Sequence, residues 1–377
     1  MKPIYLDYNA STPVAEEVVE SMLPFFSRHC GNPSSNHALG RAAAEAIEDA
    51  RMHVAALIGA DRDEIFFTSG GTESNNLALL GALLDGANRV RGHVITSQIE
   101  HPAVLEPLQW LETLGLQVTR LPSNADGFVR PEDVKMAIRS DTRLVSIMHA
   151  NNETGVIQPL SEIGAILQDH DIVFHTDAAQ SLGKIDVQVD ELGTHLLAIA
   201  GHKCYAPKGV GALYVRFGTP LHAITRGAQH ERGLRPGTEN VPGIVGLGRA
   251  CQWIAKQAAQ ANLYTQGLRD QLAEDLAAQI PQVRIHGLAA PRLPNTLSVS
   301  FPGVSGHELL QRASNVLAST GSACHSGLGT RSATLENLGL DLETARGTVR
   351  LSLGWPTTAD EIQRAGAALA SAWQSLV

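Results

Sequence analysis

The chain is poor in cysteine: only Cys30, Cys204, Cys251 and Cys324 occur in 377 residues, none at a metal-binding spacing. This argues against a zinc framework or a disulfide scaffold and suits reduced thiols in a cytoplasmic setting. Long apolar runs are missing as well. No stretch approaches a membrane span, and the opening Met1-Lys-Pro-Ile-Tyr-Leu-Asp7 lacks the apolar segment of a leader, so no membrane partner is expected. Positive charge is not in excess: 29 Lys and Arg against 38 Asp and Glu leave a net charge of -9, which argues against nucleic acid as the main partner. Neither an internal repeat nor a low-complexity tract is visible.

What is present is a long alternation of apolar strands and helical segments. An apolar fraction of 44% and a charged fraction of 18% describe a globular protein, and 377 residues exceed one ordinary core, so two domains are expected. Thr12-Pro13 reads as a cap and first helical residue, and Ala42 to Ile58 as a helix stopped at Gly59. Strands follow at 65–68, 93–97, 116–121, 144–149 and 172–176, separated by helices opening at Thr72 and after Pro102, Pro131 and Pro159. Crossover connections of this kind predict a largely parallel sheet in an α/β domain. Beyond Gly243 the rhythm changes to two helices, 244–261 and 263–280, then strands at 297–301 and 349–353 and a capping box at Thr358 and Glu361. The expected division is a large domain over 14–255 and a small α+β domain made of 1–13 and 256–377.

Chemistry gathers at the strand ends. The run 196–200 ends in Gly201-His202-Lys203, and a second run returns from Val210, so a lysine sits at the tip of an antiparallel hairpin. A lysine amine whose pKa is lowered suits Schiff-base chemistry, whereas a lone hairpin lysine is more often a surface residue. Asp177 ends a strand where open α/β sheets bind ligands, with a helix N-cap as the plain alternative. Ser69-Gly70-Gly71-Thr72 joins a strand to a helix and offers N–H groups to an anion, without the P-loop ending or the Gly-x-Gly-x-x-Gly spacing. His101 and the amides of Asn151-Asn152 also follow strand ends. A lysine, an acid and a phosphate-sized glycine turn are the parts a pyridoxal phosphate site needs. Further on, Thr320 to Thr330 is small, polar and Gly-rich, which leaves Cys324 without apolar neighbours and reads as a reactive thiol. Arg350 interrupts an apolar strand and calls for either a substrate carboxylate or a structural ion pair.

Eight motifs carry a resemblance that spans nearly the whole chain: 6–13 (LDYNASTP), 31–35 (GNPSS), 68–76 (TSGGTESNN), 150–155 (ANNETG), 177–180 (DAAQ), His202-Lys203, 237–240 (GTEN) and 321–324 (GSAC). With these the chain resembles the cysteine desulfurases, class V members of the fold-type I pyridoxal-phosphate enzymes. The resemblance implies a mostly parallel seven-stranded sheet between helices plus a smaller α+β domain. It implies that Lys203 binds the cofactor covalently, that His101 stacks on its ring, and that Asp177 meets the pyridine nitrogen; either Lys203 or His101 is then expected to take the substrate Cα proton. Asn152 and Gln180 would serve the ring face and phenolic oxygen, and Gly71, Thr72 and His202 the phosphate. Thr238 would reach the phosphate of a neighbouring subunit, making a homodimer with composite sites. Asn32 and Arg350 would hold the substrate carboxylate, with Asn152 also on the substrate side. Cys324 would receive sulfur as a persulfide and pass it to an acceptor protein.

Some positions depart from the commonest pattern. Ala200 stands where a phosphate-binding serine is usual, Ala206 replaces a glycine, and Arg235-Pro236 and His325 are similar to selenocysteine lyase. Selenocysteine is therefore the competing substrate. A class V aminotransferase would have no need of Cys324, and a non-catalytic scaffold would not need the lysine, acid and phosphate turn together.

Overall fold

The computed structural model describes residues 2–85, 89–320 and 331–377. Among these, twelve strands form three sheets: β1 (Ile4–Tyr5), β2 (Ile65–Thr68), β3 (His93–Ser97), β4 (Gln117–Leu121), β5 (Thr142–Ser146), β6 (Val173–Asp177), β7 (Leu196–Ala200), β8 (Gly211–Val215), β9 (Arg284–Ile285), β10 (Thr296–Ser300), β11 (Val316–Leu317) and β12 (Thr348–Ser352). The large sheet has seven strands in the order β2-β8-β7-β6-β5-β3-β4. Only β8 runs against the others, because it returns directly from the lysine hairpin, and the remaining neighbours are joined by crossovers. Consequently β2, β3, β5, β6 and β7 all end on the same edge.

Both faces of this sheet are covered, which explains the unbroken apolar runs. Ile95, Val145 and Leu197 point into a core with the helix Ala38–Ile58 and the start of the helix Val241–Gln279. Their neighbours Val94 and Leu144 point the other way, onto Val104 and Leu108 of the helix Pro102–Thr113. A separate core gathers Leu272, Leu276, Leu297, Val299, Leu351, Ile362 and Leu369 around the three-stranded sheet β12-β10-β9. The chain start joins it: β1 pairs in parallel with β11, and Asp7 bridges to Ser352.

Two local expectations are corrected. Thr12-Pro13 does not open a helix, which begins instead at Glu16. The Thr12 hydroxyl is taken elsewhere: it donates to the His202 carbonyl (3.2 Å) and accepts from the Tyr205 N–H (2.8 Å), tying this segment beneath the hairpin tip. The two helices expected over 244–280 are one continuous helix, Val241–Gln279. No Gly or Pro lies between 249 and 266 to break it. At the expected break, Asn262 instead donates to the carbonyls of Gly183 and Lys184 and accepts from the Trp355 indole. The helix thus runs through both cores, with Leu247 and Ile254 in one and Leu268 to Leu276 in the other.

Candidate active site

The shared sheet edge assembles the site. After β7 the backbone makes a single 3-10 turn, Gly201–Lys203, and this turn aims Lys203 inward instead of along the hairpin. Its Nζ donates to the carbonyls of Asn9 (2.6 Å) and Ala10 (3.0 Å). Burial, with Arg350 adding to it, lowers the lysine pKa to about 8, while Asp177 and Asp7 oppose the shift. Lys208, the next lysine along, is exposed. Of the two lysines in this hairpin, Lys203 is the one turned inward, and a lowered pKa suits an amine for nucleophilic work.

Asp177, at the end of β6, is buried, and both of its oxygens are held. Oδ2 accepts from Asn75 (2.7 Å) and Oδ1 from the Ala179 N–H (2.9 Å). His101 caps the helix Pro102–Thr113, and its Nδ1 accepts from the Ala103 N–H (3.1 Å). That bond occupies the Nδ1 lone pair, so the neutral ring carries its proton on Nε2. Burial and Lys203 lower the His101 pKa against the pull of Asp177, which keeps the ring neutral. Lys203 and His101 thus both feel the charge of Asp177.

The glycine turn lies beside the lysine. Gly70 has φ +146, a conformation open to glycine, and caps the helix Gly71–Leu83 with Thr72 exposed in its first turn. A Cβ placed on Gly71 would lie 3.2 Å from the Ala200 methyl, so the residue where a serine is usual faces the anion turn with no hydroxyl to offer. His202 follows Ala200 by two residues, its pKa lowered to about 4 by burial and by Lys203, Lys208 and His101. A flat ring stacked at His101, a carboxylate for a pyridine nitrogen, an amine for an aldehyde and N–H groups for a phosphate fit pyridoxal phosphate.

Of the two roles considered for Arg350, the structure shows the structural ion pair. Its Nη2 pairs with Asp7 (2.7 Å) and its Nη1 donates to the Asn152 carbonyl (3.0 Å), while its buried Nε has no partner among the described residues. Asn152 is half-buried, and it is its carbonyl that receives Arg350 and the Asn9 amide. The neighbouring Asn151 serves the loop itself, accepting from the N–H groups of Glu153 and Thr154. Gln180 is buried and donates to the Asn9 carbonyl (3.0 Å). Asn32 and Thr238 are exposed, and the Asn32 side chain accepts from the Ser34 N–H in its own loop; no described contact joins either to Lys203. Cys324 lies outside the described residues.

Four contributors were not singled out from sequence. Asn75 holds Asp177 and was detectable as a polar residue on the buried face of the helix Gly71–Leu83. Asp7 and Asn9 lie in the 6–13 motif without an assigned role, and Glu100 precedes His101, buried and bonded to Ser97 and the Met148 N–H. Nothing local marks Asp7 and Asn9, since their partners are far away in sequence, and only Ser97 lies near Glu100 in the chain.

The class-V aminotransferase profile matches residues 4–365. The chain is 46% identical to "Cysteine desulfurase IscS" of Dictyoglomus turgidum, over 96% of this chain and 92% of that relative. It is 45% identical to the protein of the same name from Methanosarcina thermophila, over 96% and 90%. Among solved structures, a "NIFS-LIKE PROTEIN" superposes with a TM-score of 0.91 at 36% identity, covering 99% of both chains. "SspA in complex with cysteine" gives 0.82 at 40% identity, over 93% of this chain and 98% of that one. The sheet edge, the lysine turn and these likenesses agree, and the chain belongs to the cysteine desulfurase family within the class-V aminotransferases.

Proposed function

We propose that the protein is a pyridoxal-phosphate-dependent cysteine desulfurase, and the observation that carries this is Lys203. It is an amine with a pKa lowered to about 8, on the same sheet edge as an anchored Asp177 and a neutral His101. The net reaction is L-cysteine plus the Cys324 thiol giving L-alanine plus the Cys324 persulfide, so the sulfur atom and all hydrogens are accounted for. Pyridoxal phosphate, when bound, supplies an electron sink for charge developing at the substrate Cα. Asp177 keeps the ring nitrogen protonated, and Asn75 holds that carboxylate in place. Gly71, Thr72 and His202 hold the phosphate, with one donor fewer at Ala200.

Lys203 takes the Cα proton. His101 is less suited to that step, because its Nδ1 is occupied by the Ala103 N–H and its Nε2 carries the hydrogen. It stacks on the ring and donates instead. The unpartnered Nε of Arg350 receives the substrate carboxylate, aided by Asn32, while Asp7 holds the guanidinium from behind. Residues 14–255 form the cofactor domain, 1–13 with 256–377 the small domain, and two copies share their sites through Thr238. The protein works in the cytoplasm and hands its sulfur to a protein acceptor; no described helix is long and apolar enough to cross a membrane.

The test is alanine release from cysteine and from selenocysteine by the wild type, Lys203→Ala and Cys324→Ala. Lys203→Ala should lose the visible cofactor band and all turnover. Cys324→Ala should release no alanine from cysteine yet retain release from selenocysteine, since a selenol leaves more readily than a thiol. A wild type that consumes selenocysteine but not cysteine under reducing conditions would be a selenocysteine lyase.

A further inference from the structure

A second lysine reaches the site from the turn after β6. Lys184 Nζ lies 2.8 Å from Gln180 Oε1 and 3.1 Å from Asn9 Oδ1. An ammonium only donates, so both atoms it touches must be oxygens. In its protonated form Lys184 thus favours the amide orientation that the Asn9 carbonyl also requires of Gln180, a choice the amide's shape alone leaves open. With its oxygen held by Lys184, Gln180 turns its nitrogen to the Asn9 carbonyl (3.0 Å), which takes one of its two hydrogens. The second hydrogen has no acceptor among the described residues.

The same ammonium orients Asn9, which is 1% exposed. The Asn9 amide nitrogen then donates to Thr296 (2.9 Å) and to the Asn152 carbonyl (3.3 Å), and its oxygen also accepts from Asn295 (3.1 Å). Its backbone carbonyl is left to accept from Lys203 (2.6 Å). One cation thus stands behind the amide assigned to the cofactor's phenolic oxygen and behind the segment that holds the reactive lysine.

We infer that Lys184 is a positioning residue: it locks Gln180 so that an N–H, and not the amide oxygen, faces the phenolic oxygen of the cofactor. The inference rests on the pyridoxal-phosphate reading given above. The surroundings of Lys184 suit the task. Burial and the cations Lys203 and Arg350 lower its pKa to about 7, against an opposing effect of Cys204, so the donor-only ammonium is the form below that pH. An amide oxygen turned to a phenolate would repel it, whereas an N–H withdraws its charge and lowers the proton affinity of the Lys203 nitrogen bound to the cofactor.

The experiment is a double-mutant cycle on the holoenzyme, reading the pH at which the visible cofactor band titrates and the dissociation constant of pyridoxal phosphate. Gln180→Leu removes the donor, and Lys184→Met removes the lock together with its charge. Both single changes should raise the titration by about tenfold in proton affinity, or about one pH unit. In the Gln180→Leu background Lys184→Met reports the charge alone, so its effect there should be smaller by at least about threefold. Lys184→Arg, again a donor only, should restore most of the wild-type titration, and it carries the test should Lys184→Met fail to fold. Fully additive shifts, or a Lys184→Arg titration no closer to wild type than that of Lys184→Met, would overturn the inference. A wild type that binds pyridoxal phosphate with no visible band would instead overturn the cofactor reading beneath it.

Discussion

Single residues in this site are tuned mainly by loss of water. Glu100 is the clearest case outside the reacting groups. Its Oε1 accepts from the Ser97 hydroxyl (2.6 Å) and the Met148 N–H (2.9 Å), joining the loops that follow β3 and β5. Burial, reinforced by the charge of Asp177, pushes its pKa up to about 8, so it is protonated at neutral pH. The folded state then keeps a proton that the unfolded chain loses at the ordinary carboxyl pKa. Its contribution to stability is complete below that value and disappears as pH rises through about 8. Glu100→Gln keeps the acceptor and cannot ionise. Urea unfolding from pH about 5 to about 9 should show the wild type losing on the order of a few kcal/mol that the variant retains. Parallel pH profiles for the two proteins would remove Glu100 from this account.

Helices and turns place these residues by close approach. The helices Ala38–Ile58 and Val241–Gln279 meet at Gly248, where a Cβ would stand 2.5 Å from both Cα and Cβ of Ala50. Gly248→Ala should cost about 1–3 kcal/mol, because backbone must move to admit the methyl. Gly267 lies on the same helix with nothing within 4 Å of its Cβ position. Gly267→Ala should therefore stabilise by about 0.4–1 kcal/mol. Chemical denaturation of both variants checks the pair, and losses of equal size would mean that helix contact is not what selects glycine at 248. At the anion turn the same logic holds: a Cβ on Gly211 would lie 2.6 Å from the Gly70 Cα, so β8 packs directly under the turn.

At the scale of the whole molecule, the segment before the helix Val241–Gln279 is braced by ion pairs to distant elements. Glu231 and Arg232, at positive φ, are fixed by a buried pair in which Arg51 meets Glu231 at 2.8 and 2.9 Å, and Glu231 also accepts from the Phe67 N–H. Arg235 pairs with Glu73 at 3.0 Å beside the glycine turn. Thr238 emerges beyond this brace, exposed. If it completes the site of a second copy, mixing Thr238→Ala with Lys203→Ala subunits should create hybrid dimers with one intact site. Alanine release should then exceed the sum of the separate proteins, with up to about half of wild-type activity recovered per hybrid. No gain on mixing after subunit exchange, or a fully active monomer by light scattering, would end the composite-site proposal.

Features that depend on near neighbours were legible in the sequence. Alternating strands and helices, the reversed β8, the capping box at Thr358 and Glu361, and the strand-end positions of Lys203, Asp177 and His101 all follow from patterning, turn residues and caps. The gathering of the candidate site residues was legible for the same reason, since parallel strands carry their ends to one edge. What the sequence could not decide are pairings across long separations. Arg350 finds Asp7 from 343 positions away, and Asn9 receives Lys203 from 194 and Asn295 from 286. Thr12 gave up helix capping for contacts with His202 and Tyr205, and no break formed in Val241–Gln279 because the helix is held by both cores. Hydrogen-bonding capacity is a property of each residue, but its partner is chosen only when burial removes water and leaves one polar atom in reach.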